Sequence, residues 1–367
     1  MTSRLSSFVG KTVFVTKMAH DENFLTESEE NDDSLNEPVK KRQKSRIRRQ
    51  RAMDSSEDDG YFWVHSEAEI VKNYKQVKHL KMYGTHGKKP GQFLDPMGIS
   101  TMDGFVCVTD PMKNSLTVFN ESTIRSQSKG DIMIAADIKP LKECYFSSVF
   151  DVAVHESSKN VLVSDPVKKC IHCVSLGDDI RKNNTIFDSN ITVSKCDTLS
   201  GICVTQNGLI GALDSESGRV LVCDGHGDIK HSFGSEGSDK GQFCLPQFIH
   251  WDNLNQRFIV SDTANARVQL FTADGQFLFS FGEFGFKDGG CFKYPSGITT
   301  DDHGRIFVVD QGLHEVQIFD KDGHWLHSLG KAGIMPGCFN SPKSLSLFSN
   351  GDLVVTDSLN SRLQVFG

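Results

Sequence analysis

The sequence predicts an all-β repeat fold, and three observations carry that prediction. The 367 residues include 32 Gly and 26 Phe beside 5 Tyr and 3 Trp, a balance suited to short strands, tight positive-φ turns and sheet packing. A hydrophobic run ending in Asp recurs six times, at intervals of 55, 49, 48, 48 and 47 residues: VCVTD at Asp110, VLVSD at Asp165, IGALD at Asp214, FIVSD at Asp262, IFVVD at Asp310 and LVVTD at Asp357. Apolar landmarks keep the same register, with Leu116, Ile171, Val220, Val268, Val316 and Leu363 six residues after each Asp. Nine residues after it come Phe119, Val174, Cys223, Phe271, Phe319 and Phe366.

Each unit divides in the same way. Between Leu245 and Gly282 the pieces PQFIHW, QRFIVSD, RVQLFTADG and QFLFSFG read as four strands separated by turn residues. Four short antiparallel strands per unit of this length is the arithmetic of a propeller blade, and a helical solenoid or jelly roll does not produce it. Pro96, Pro246, Pro295 and Pro342 mark the start of the innermost strand, where a missing N–H costs little. Gly104, Gly208, Gly304 and Gly351 fall in the first turn of their units, and Asn253 to Asn255 take that place in the fourth. The sixth unit runs from Cys338 to Gly367 and lacks a fourth strand. HLKMYG, from His79 to Gly84, has the missing pattern, so residues 79–367 are expected to form six blades closed by an N-terminal outer strand.

The first 78 residues read differently. They hold 14 basic and 14 acidic residues sorted into blocks, acidic from Asp21 to Glu37 and basic from Lys40 to Arg51, where KKRQKSRIRRQR carries eight positive charges. Such blocks cannot bury enough apolar surface to order themselves, so residues 1–60 are expected to be a disordered tail and 61–78 a linker or short helix. The basic block suits a nuclear-import signal or an electrostatic arm for nucleic acid, against the plain alternative of a solvated linker. Ser55 and Ser56, followed by three acidic residues, have an acidic phosphorylation context.

No stretch approaches the apolar length of a membrane span, and the ten cysteines, Cys107 to Cys338, lack the ladder of a zinc module. These features give the expectation of a cytoplasmic, monomeric chain with reduced thiols and neither metal nor other cofactor. Ser100, Ala153, Cys203, His250, Thr299 and Ser346 share one position on the innermost strands and should face the channel. One histidine among six cannot form a three-His metal centre, so a non-enzymatic chain is expected.

The segment FGEFGFKDGGCFKYPSGITTDDHGRIFVVDQGLHEVQIFDKDGHWLHSLG resembles the NHL repeat: a P-x-G-I strand, a strand ending V-x-D, an N-x-R-I-Q-V-F strand and G-x-F-L-x-x-F-G. Units at 241–282, 290–330 and 338–367 match well, the first unit is fair, and the second and third are degenerate. The resemblance implies the propeller that ends tripartite-motif proteins of the Brat type, which binds RNA or recruits protein partners. It is also similar to the fold of the peptide-amidating lyase. The upstream cysteines of a RING are missing, so the resemblance does not imply ligase activity here.

Residues that recur are read as structural: the six marked Asp, with Arg267 and Arg362 in D-x-x-N-x-R. Asp and Asn are expected to accept turn N–H groups, and Arg to pair with a carboxylate or carbonyl of a neighbouring blade. Binding residues should depart from the repeat. Loops on the face that carries the marked Asp contribute Lys88, Lys113, Lys168, Lys169 and Lys287, with Phe284 and Phe286 beside the last. Aromatic faces beside positive charge are what unpaired bases need, so single-stranded RNA is the first expected partner. The alternative is a protein scaffold that recruits partners or substrates for a ubiquitin ligase, marked by an exposed apolar patch or an acidic face. A lyase or hydrolase on the propeller is the remaining alternative.

Overall fold

A computed structural model describes residues 78–367, apart from 103, 122–123, 125–133, 136–141, 156–157, 176–186 and 287–288. The acidic and basic blocks, Ser55, Ser56 and Lys287 lie outside the described residues.

Six antiparallel sheets stand in sequence order, the blades of a six-bladed propeller. Blade one comprises Ile99–Met102, Phe105–Asp110, Ser115–Asn120 and Lys142–Tyr145, and blade four Ile249–Asp252, Arg257–Asp262, Arg267–Thr272 and Phe277–Phe281. In blade six Pro342–Leu347, Leu353–Asp357 and Arg362–Phe366 are completed by His79–Tyr83, which pairs antiparallel with the strand ending at Phe366. The N-terminal strand therefore closes the ring. Ile134–Ala135 adds a short parallel strand outside it.

The register explains the repeat. Each marked Asp ends a second strand and stands opposite the residue five positions later, from Asp110 with Ser115 round to Asp357 with Arg362. The turn between them puts its last residue in the left-handed region every time: Asn114, Lys169, Gly218, Ala266, His314 and Ser361 have φ of 51 to 60°. Only blade three uses the glycine that this conformation favours.

The second and third strands of each blade bury both faces because each sheet packs between two neighbours. Six apolar clusters result, one per blade interface; Val106, Val108 and Phe119 of blade one pack with Val354, Leu363 and Val365 of blade six. All the landmark residues six and nine positions after the marked Asp are buried. Gly84, Gly234, Gly282 and Gly330 begin four of the crossings between blades at φ of 88 to 96°. A Cβ at Gly282 would stand 2.4 Å from the buried ring of Phe292, so φ and packing both exclude a side chain there.

Candidate partner-binding face

Because strands alternate in direction, the turns after the marked Asp and the crossings between blades emerge together on one face. The carboxylates tie the two together. Asp110 accepts from the amides of Leu94 (2.7 Å) and Asp95 (3.2 Å), Asp262 from Cys244 (2.7 Å), Asp310 from Lys293 (2.7 Å) and Tyr294 (3.1 Å), and Asp357 from Asn340 (2.7 Å). Burial pushes the carboxyls of Asp110, Asp262, Asp310 and Asp357 above their usual range, and these amides work against that shift by stabilising the anion.

Arg267 and Arg362 serve the same joint. Their Nε groups donate to Asp262 (2.7 Å) and Asp357 (2.6 Å) of their own blades, which corrects the expected carboxylate of a neighbouring blade. The outer guanidinium nitrogens cap crossing carbonyls, those of Asp239 and Gln242 for Arg267 and of Ile334, Met335 and Cys338 for Arg362. The register puts Arg directly opposite its own Asp, and only the terminal nitrogens reach further. Gln269 and Gln364, seven residues after the Asp, complete the joint by donating to the same carboxylates at 3.0 and 2.9 Å. In blade two His172 takes that place, 3.0 Å from Asp165. Sequence reasoning passed over these residues, although their constant offset was visible.

On this framework Lys88, Lys168 and Lys169 are exposed. Lys113 is half-buried, and its Nζ donates to the carbonyl of Gln92 at 3.1 Å, which removes it from the free cations. Phe284 and Phe286 are 64% and 67% exposed and meet edge to face at 5.4 Å. Lys293, which the sequence reading did not select, sits 5.5 Å over the ring of Phe286. The face also carries exposed acidic groups: Asp197, Glu216, Glu236 and Asp239.

Its apolar content was missed. Eleven large apolar side chains are exposed among the described residues, and eight belong to this face: Met112, Val167, Leu245, Phe284, Phe286, Ile334, Met335 and Leu359. The signal was present, since Met112, Val167 and Leu359 stand two residues after a marked Asp where blade three has Glu216.

The centre of the ring encloses a cavity of about 400 Å³, lined by all six innermost positions from Ser100 to Ser346 and reaching the turns at Asn253, Asp301 and Gly351 on the opposite face. His250 bonds to Thr300 at 2.9 Å, and burial lowers its imidazole to about 4. Asp151 accepts from the amide of Ile202 (3.0 Å), while burial pushes its carboxyl up to about 7. Among the described residues no three His, Cys, Asp or Glu side chains gather as a metal site, and no helix is long and apolar enough to cross a membrane.

Residues 339–366 match the NHL repeat family. The chain is 30% identical over 111 residues to the protein brain tumor of Drosophila melanogaster, a stretch covering 30% of this chain and 10% of that protein. It thus spans about a tenth of that relative's length. Among solved structures, a Bacteroides thetaiotaomicron protein of unknown function aligns with a TM-score of 0.60 at 14% identity, covering 79% of this chain and 75% of the other. A streptogramin B lyase aligns at 0.52 and 13% identity, covering 79% and 97%. A catalytically inactive variant of the Staphylococcus aureus virginiamycin B lyase, solved with quinupristin, aligns at 0.50 and 17%, covering 77% and 82%. The chain is a six-bladed propeller whose residues 339–366 match the NHL repeat, and it resembles the C-terminal domains of TRIM-NHL proteins.

These matches correct the expectation of a non-enzymatic chain. Lyases are built on this architecture, so a single channel histidine is no ground for excluding catalysis. The error lay in equating propeller chemistry with a ring of metal-binding histidines. At these identities the lyases share the fold, and the likeness does not extend to a reaction.

Proposed function

We propose that the chain is a binding propeller that docks a protein partner on the face formed by its crossings and Asp turns. The observation that carries this reading is the gathering of eight of the eleven exposed large apolar side chains on that face. Exposed apolar area of this extent costs free energy in water, which a partner recovers by covering it. Met112 and Val167 sit in turns whose amides bond to the buried Asp110 and Asp165, and the Ile334–Met335 tip is held by Arg362 on its carbonyls, so little ordering entropy is lost there on docking. Delivery of that partner to a ubiquitin ligase rests on the TRIM-NHL likeness alone.

Single-stranded RNA is a second reading, favoured by the exposed Phe284 and Phe286 rings beside Lys293. The loss of Lys113 to an internal carbonyl and the four acidic groups weigh against a continuous phosphate track. Selecting a random displayed peptide library and a random single-stranded RNA pool on the full chain, at physiological salt, separates the two. Peptides should be retained by the wild type and lost on the Ile334→Ser/Met335→Ser variant. Retention of RNA with no enriched peptide would replace the protein reading with the RNA one.

A further inference from the structure

Loops that could act separately are joined into one arc. Gln311 of blade five donates its amide to the carbonyl of Tyr294, tying the Phe286 crossing to the next turn, and His314 accepts from the amide of Ser341 in the crossing that bears Ile334 and Met335. Asn360 and Arg362 bind the carbonyls of Gly333 and Ile334, which sets Leu359 beside that crossing. Ser361 then contacts His86 (3.0 Å) and the carbonyl of Leu94 (3.2 Å) in the crossing that bears Lys88 and Lys89. Lys113 bonds back to that crossing, the amide of Phe146 bonds to the carbonyl of Asn114, and Ser147 reaches Asp165 at the turn carrying Lys168 and Lys169.

Along this arc the chemistry changes in one direction. The crossings into blades five and six present Phe284, Phe286, Ile334 and Met335, with Glu283 and Lys331 as exposed charges of opposite sign. From the crossing into blade one to the turn of blade two, the exposed groups are Lys88, Lys89, Met112, Val167, Lys168 and Lys169. No ion pair engages those four lysines among the described residues. The sector of blades three and four carries Asp197, Glu216, Glu236 and Asp239 against Lys195 and Lys240.

We propose that this face reads a bipartite protein segment, with an apolar block seated over blades five and six and an acidic block over blades one and two. The inference rests on the protein-docking reading and adds the partner's chemistry and direction. Apolar side chains cover the rings and the Ile334–Met335 tip, while carboxylates meet four lysines that no ion pair engages among the described residues. The acidic sector repels the same carboxylates, so a segment that runs from the apolar end round to blades four and three instead places like charges together.

The test uses the full chain and a synthetic peptide whose Phe/Leu block is joined through Gly-Ser to a Glu block, with a companion carrying Gln for Glu. Fluorescence anisotropy at low salt should show the Glu peptide binding about tenfold more tightly than the Gln peptide, a gap of the size that a few exposed ion pairs supply. Lys168→Glu/Lys169→Glu should remove most of that gap, and Ile334→Ser/Met335→Ser should weaken both peptides; thermal melting of each variant checks folding. Equal binding of both peptides, or a gap indifferent to the lysine variant, overturns the bipartite reading and leaves apolar docking in place. Binding of neither peptide while random RNA is retained overturns both.

Discussion

A buried carboxylate at the end of each second strand holds two pieces of chain that are far apart in sequence, and this is why the marked Asp stayed fixed while its neighbours drifted. Its spacing was readable because a four-residue turn leaves no freedom in the register. The direction of Arg267 and Arg362 was not, since a flexible side chain reaches carboxylate and carbonyl alike. Burial also sets up a test at the cavity. Asp151 has its carboxyl raised to about 7, so its contribution to stability is present below about pH 4 and is lost as pH rises through 7. His250 is depressed to about 4, so its contribution is present above about pH 6.5 and is lost as pH falls through 4. Between about pH 4.5 and 6.5 the two oppose each other. Asp151→Asn should therefore steepen the fall in melting temperature on acidification, and His250→Gln should make it shallower. Calorimetry across that range checks both signs, and equal slopes in both variants would refute the assignment.

Ring closure depends on one element. The strand His79–Tyr83 carries the pattern of an outer strand, which made its place in blade six legible from HLKMYG. Met82 and Tyr83 are buried there, and the Tyr83 hydroxyl donates to the carbonyl of Ile124. Removing residues 1–77 should leave the melting temperature nearly unchanged. Removing residues 1–86 uncovers the edge of Arg362–Phe366 and should lower it by about 10 °C or more. Superimposable melting curves would refute closure by this strand. The addition of Ile134–Ala135 had no such signature, because two residues are too few to show a period. Four crossings share a G-x-x-G pattern, but their tips vary from Lys88–Lys89 to Ile334–Met335. That variation carries the binding chemistry.

At the scale of the whole propeller, the sequence made blade number and order legible because every unit repeats the same buried positions. The chemistry of the face was only partly legible. Lysines stand out in a chain whose formal charge is -7, whereas Met112, Val167 and Leu359 look like core residues until the fold turns them outward. The partner we propose sits on the crossing face and leaves the cavity side free. Hydrogen exchange of the full chain, alone and with a peptide selected on it, tests this directly. Slowed exchange should appear in the crossings at 284–294 and 330–341 and in the turn at 358–361, with the opposite turns at 300–306 and 347–353 unchanged. Protection confined to those opposite turns and the cavity-lining strands would contradict it.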